Sequence, residues 1–183
     1  MKLTKNKKGF SFLEVMITIS VLSIGILAVM VLIASSMKSS MNSRDGIIAS
    51  ELAQEGIELV RNIRDNNLIN SEEIFSVGFP SESSSNCRID INSTSISCDD
   101  GASYRKLYFD GEFYVHSSSG TETKFQRKIM VDNYLGGDGS STDAVQVDLY
   151  SIVIWGNEWP SGCDSCNAAG KCVCVKDVLT EWR

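Results

Sequence analysis

Histidine occurs once in this 183-residue chain, as His116, and proline twice, as Pro80 and Pro160. A single imidazole removes most acid–base and metal-hydrolase chemistry, and no acid, base and nucleophile converge elsewhere in the sequence. No glycine-rich loop cradles a phosphate, because Gly136-Gly137-Asp138-Gly139 sits in a polar stretch and reads as a flexible connector. Enzyme activity and a bound cofactor are therefore not expected. The absence of proline before position 80 means that nothing of that kind ends a helix in the first 79 residues. Basic residues are scarce beyond the N-terminus. Four of the 17 lysines and arginines are Lys2, Lys5, Lys7 and Lys8, which leaves 13 against 23 acidic residues and a net charge of −10 for the rest. Without a basic stripe there is no electrostatic footprint for nucleic acid, and no such partner is expected.

What the chain does have is one long apolar run. Residues 10–34 are nearly all apolar or small, and Glu14 carries the single charge among them. About 20 apolar residues span a bilayer core as a helix. Four lysines lie within residues 1–9 just before the run, against Lys38 and Arg44 in the ten residues after it, so the positive-inside rule places the N-terminus in the cytoplasm and the body outside. A plain single-pass anchor is one reading of the segment. A cleaved secretory signal ending near Ala34-Ser35-Ser36 is another, but the run exceeds the usual apolar core of about 15 residues. Neither reading explains Glu14.

Basic residues, then Gly9, then Phe10-Ser11-Phe12-Leu13-Glu14 resemble the cleavage and methylation signal of type IV prepilins and pseudopilins. The resemblance implies cleavage between Gly9 and Phe10 by a membrane prepilin peptidase and N-methylation of the new Phe10 amine. Glycine before the scissile bond suits close backbone approach, since no Cβ obstructs it. Glu14 then lies about 6 Å along a helix from that amine, and the family analogy pairs it with the Phe10 amine of a neighbouring subunit. The implied partners are other pilin or pseudopilin subunits, the peptidase, membrane lipid and the pilus or secretion assembly machinery. The implied location is the cytoplasmic membrane first and an extracellular or periplasmic filament afterwards.

The implied fold is α+β, pilin-like: a long N-terminal helix, hydrophobic and then amphipathic, packed on a C-terminal antiparallel sheet of about four strands. Five segments are expected: a leader at 1–9, an assembly helix at 10–34, its amphipathic continuation at 35–64, a Ser/Asn-rich loop region at 65–103 and a sheet head at 104–183. Helical spacing of Ile48, Leu52, Gly56, Leu59, Val60 and Ile63 marks the buried face. Glu58 with Arg61, and Arg61 with Asp65, are spaced for surface pairs. Many major pilins carry a proline midway along the stalk. This chain has Val31 in that neighbourhood, a departure that leans towards a minor subunit.

In the head, aromatic strands flank Asp110-Gly111, a pair that favours a type I′ hairpin. Further strands are expected at 124–132, 145–155 and 172–182. In the second of these Val145, Val147, Leu149, Val153 and Trp155 share one face, Tyr150, Ile152 and Ile154 the other, with both faces covered at its C-terminal end. The head is also similar to minor pilins and minor type II secretion pseudopilins in Phe125–Ile129, Val178–Arg183 and the Leu52–Glu58 stretch. His116 reads as an ordinary strand residue. Asn92-Ser93-Thr94 matches a glycosylation triplet that arises often by chance.

Six cysteines behind a membrane signal suit an oxidising compartment. Cys87 and Cys98 read as one disulfide. Cys163, Cys166, Cys172 and Cys174 read as two more, with a tetrahedral thiolate metal site or free thiols as alternatives. Nested pairing, Cys163 with Cys174 and Cys166 with Cys172, suits a hairpin neck, although spacing leaves the connectivity open. A calcium site near Asp132, Asp138 and Asp143 is disfavoured, because the spacing does not match an EF-hand. The function expected is a structural, minor subunit of a type IV pilus or type II secretion pseudopilus. The alternative is an uncleaved single-pass protein with an exported binding or sensing head.

Overall fold

The computed structural model describes residues 9, 11–70, 72–99, 105–136, 141, 144–156, 159–160, 162–163, 166 and 170–181. They form one helix, α1 (Phe12–Ile69), and seven strands: β1 (Ser84–Arg88), β2 (Ser97–Cys98), β3 (Lys106–Phe109), β4 (Tyr114–Val115), β5 (Thr121–Leu135), β6 (Gln146–Trp155) and β7 (Cys172–Thr180). The chain divides into two compact units, one ending at Ser43 and one comprising Arg44–Arg183.

Helix α1 runs past the expected end near residue 64 to Ile69. Asn67 explains the extra turn: it is buried, and its amide donates to the carbonyls of Ile74 (3.0 Å) and Val77 (2.7 Å), which ties the helix end to the following turn. The buried face comprises Ala49, Leu52, Ala53, Gly56, Ile57, Val60, Ile63, Arg64 and Asn67. Leu59 and Ile48 are half-buried beside it. Arg61 pairs with Glu58 as its spacing predicts (2.5 Å), but its other nitrogen reaches Asp177 on β7 (2.7 Å) rather than Asp65. Asp65 instead pairs with Arg64.

All strand pairings are antiparallel. The long β5 organises the sheet: β6 lies along one side of it and β7 beyond β6, while β1 and β3 share its other side. The sheet is larger than the four strands expected. The difference lies partly in the Ser-rich region, where β1 takes in Ser84-Ser85-Asn86 because Cys87 bonds Cys98 across β2 and pairs with Ile129 of β5.

The Asp-Gly connection also departs from expectation. The Asp110 carboxylate accepts from the amides of Glu112 (3.0 Å) and Phe113 (2.8 Å). The loop between β3 and β4 therefore spans four residues, with Gly111 at φ 111°, rather than the two of a type I′ turn.

Alternation on β6 follows the predicted faces. Val147, Leu149, Val153 and Trp155 pack with α1 residues such as Leu52, Ile57 and Val60, whereas Ile152 and Ile154 pack on the other side with Cys163. Val145 precedes the strand and is half exposed. Both faces are thus covered at that end of the sheet. Helix α1 covers one, and the cysteine-bearing loop folds its Cys163 and Trp159 over the other.

Candidate functional site

The N-terminal segment is built around the start of α1. Gly9 is exposed, whereas Phe10 and leader residues 1–8 lie outside the described residues. The helix opens on the carbonyl of Ser11, which accepts from the amides of Glu14 (3.0 Å) and Val15 (3.2 Å). Glu14 consequently occupies the first turn. Unsatisfied N–H groups make a helix start partly positive, which favours a carboxylate there by about 0.3–1 kcal/mol. No side chain among the described residues pairs with it.

Behind Glu14 the helix is apolar on every side and unburied. Phe12, Leu13, Ile24, Leu27 and Val31 are each more than 60% exposed, and the most apolar window has a mean hydropathy of 2.7 with none of it buried. Such a surface is stable only against lipid or other apolar helices. Its few polar side chains are satisfied within the helix itself: the hydroxyls of Thr18, Ser20 and Ser23 donate to the carbonyls of Val15, Met16 and Ile19 at 2.8–2.9 Å. That internal bonding suits an environment without water. Among the described residues of the run, Glu14 is the one charged group, and it has no partner there.

A second polar cluster lies inside the head, and the sequence reading missed it. Arg127 on β5 is fully buried. Its Nη1 donates to the carbonyl of Leu52 (3.2 Å) and lies 3.2 Å from Glu55 Oε1, and its Nη2 donates to the carbonyl of Ile89 (2.9 Å). Burial pulls the Arg127 pKa below its ordinary value, and Glu55 and then Asp90 oppose the shift. Next to it, His116 is buried just beyond β4 rather than in a strand. Asp90 Oδ1 accepts from its backbone amide (2.8 Å) and meets its Nδ1 (2.7 Å). Three separate segments, α1, the loop after β1 and the turn after β4, are thereby pinned to β5. Arg127, His116 and Asp90 each bond across these segments, and together they act as a clasp, although the buried Arg127 Nε has no hydrogen-bond partner among the described residues.

The clasp gives a pH prediction. Burial raises the Asp90 carboxyl, but hydrogen bonds from His116 outweigh it, and the net pKa lies below the ordinary carboxylate value. A depressed folded pKa means that this contribution is present above about pH 4 and is lost as pH falls through the folded value. In urea titrations the stability difference between wild type and Asp90→Asn should accordingly be larger at pH 6 than at pH 2.5. An unchanged difference would show that the pair contributes nothing.

All six cysteines are joined: Cys87 to Cys98, Cys163 to Cys172 and Cys166 to Cys174. The last two bridges are interleaved, not nested. Cys172 and Cys174 project from one face of β7, and Cys163 is buried against that same face with Ile152 and Ile154. Cys163 and Trp159 pack over the face of the sheet that Ile152 and Ile154 present, beside Cys172 and Cys174. No free cysteine remains. Asp132 lies on β5, while Asp138 and Asp143 fall outside the described residues. Asn92 is exposed in a turn.

Neither the curated proteins nor the solved structures contain a match to this chain. Residues 4–34 match the family model described as the prokaryotic N-terminal methylation motif. That match takes in Gly9, Phe10 and Glu14 and runs to Ala34, the end of the apolar run. With a long apolar helix behind a prepilin-type methylation motif, the chain fits a type IV pilin-like protein.

Proposed function

We propose that the chain is a minor structural subunit of a type IV pilus or type II secretion pseudopilus, cleaved between Gly9 and Phe10 by a prepilin peptidase, N-methylated at Phe10 and assembled through α1. The observation that carries this reading is Glu14 in the first turn of a helix that is otherwise apolar and unburied. In the membrane before assembly the cytoplasm holds the leader, and the head lies on the far side. Glu14 stays near the interface, where it is less unfavourable than at the bilayer centre, for which insertion scales give about 2.5–3.5 kcal/mol. Packed among helices, the same carboxylate without a counter-charge would be destabilising by about 3–5 kcal/mol. A neighbour's methylated Phe10 amine removes that penalty only at one axial stagger, so the charge pair sets register.

Intact-mass analysis of the membrane-extracted protein tests the processing. The expected species begins at Phe10 and carries one added methyl group. A chain still beginning at Met1 in assembled material would overturn the reading and favour an uncleaved single-pass protein with an exported binding head. Glu14→Ala is expected to leave membrane insertion intact and to lower incorporation into filaments by about tenfold or more, since losing a desolvated charge pair exceeds the 1.4 kcal/mol that a factor of ten represents. Quantitative immunoblotting of sheared filaments against the membrane fraction measures both at once.

A further inference from the structure

Strand β7 is a long sheet edge with a groove beside it. Among the described residues it pairs with β6 alone, over nine residues, whereas the strands at the opposite border, β2 and β4, have two residues each. Short edges offer little to an incoming strand, but a long one presents a row of backbone donors and acceptors. Along β7 and α1 runs an open groove of about 420 Å³. Its charged lining is Glu51, Glu55, Glu58 and Asp177 against Arg61 and Lys176, a net −2. Glu51 and Glu58 are exposed, so water and any visitor reach them.

We propose that β7 accepts an added strand from a partner, and that this strand carries lysine or arginine at alternate positions. An extended segment hydrogen-bonded to β7 sends every second side chain towards α1 and its neighbours away. The side chains on the α1 side would face Glu51, which has no cationic partner among the described residues, beside Glu58, which Arg61 already holds, so the uncompensated Glu51 carboxylate selects basic residues there. A second copy of this chain fits poorly. Antiparallel self-pairing of β7 with faces matched, centred on either of its charged residues, sets Lys176 against Lys176 or Asp177 against Asp177, and it brings two acidic helix faces together. Like charges directly opposite are destabilising. Self-pairing is thus disfavoured in the registers centred on the charged residues, and the acidic helix face beside the edge favours a basic strand over a second copy.

The test uses the full-length chain in a neutral maltoside detergent and three fluorescein-labelled nine-residue probes, followed by fluorescence anisotropy. The probes alternate lysine with valine, glutamate with valine, and lysine with proline. The lysine–valine peptide should bind saturably, and the glutamate–valine peptide at least about tenfold more weakly. The lysine–proline peptide has the same charge but lacks alternate ladder donors, and it should lose at least about tenfold as well. Glu51→Lys, an exposed change that breaks no contact in the head, should weaken the lysine–valine peptide by a similar factor. Equal binding of the two lysine peptides would overturn the proposal by reducing the effect to simple ion pairing. So would equal binding of acidic and basic peptides, or no binding of the lysine–valine peptide up to about 1 mM.

Discussion

Arg127→Ala should lower the unfolding free energy of the head by about 3–5 kcal/mol, the range expected when one partner of a buried charge network is removed. The side chain is fully buried and reaches three acceptors on two segments: the Leu52 carbonyl and Glu55 on α1, and the Ile89 carbonyl after β1. Truncation leaves a cavity where the guanidinium lay. It also strips a donor from Ile89, and an unpaired buried carbonyl costs about 1–3 kcal/mol. Arg127→Met separates the two contributions. It fills most of the volume and removes the charge, so it should be milder than alanine while still losing the Ile89 bond. Arg127→Lys should not restore wild-type stability, because an ammonium lacks the planar fork that serves both carbonyls. Urea unfolding of the detergent-solubilised chain, followed by tryptophan fluorescence, gives the three values. A loss below about 1 kcal/mol for the alanine variant would mean that the clasp does not hold the head together.

The clasp illustrates what could be read beforehand. Phe125, Arg127 and Ile129 alternate on β5, and the outer two are plainly core residues. Period-two alternation therefore already placed Arg127 inward, but a charged residue within Gln126-Arg127-Lys128 reads as solvated by composition. The apolar helix and the faces of β6 were legible because each depends on local pattern alone. What stayed hidden depends on partners distant in sequence. Lys128 is buried on the outer face because Trp159, brought there with the cysteine loop, stacks 5.0 Å from its ammonium. Interleaved bridging follows from where that loop lies, which spacing does not encode. The Asp110-Gly111 turn failed for a local reason: an aspartate side chain that can cap two amides competes with the tight turn that its dipeptide otherwise favours.

Gly56→Ala should destabilise the head by about 1–3 kcal/mol through overpacking, against a helix-propensity gain of about 1 kcal/mol that the same change brings at an open helix position. The reason is the depth at which α1 meets the sheet. A Cβ on Gly56 would lie 2.5 Å from Ser151 Oγ, 3.0 Å from Ile129 Cδ1 and 3.3 Å from Arg127 Cδ. Ile129 and Arg127 can shift by a few tenths of an ångström, but 2.5 Å demands that the hydroxyl leave. That hydroxyl is itself anomalous, being buried without a hydrogen-bond partner among the described residues. Ser151→Ala removes the obstruction and the unmet polar atom together, so alone it should be neutral or mildly stabilising. Combined with Gly56→Ala it should recover most of the loss, giving a coupling energy of about 1 kcal/mol or more in a double-mutant cycle. Additive behaviour of the two substitutions would show that the helix yields instead of the serine, and that the close approach at Gly56 is not what positions α1 on β5 and β6.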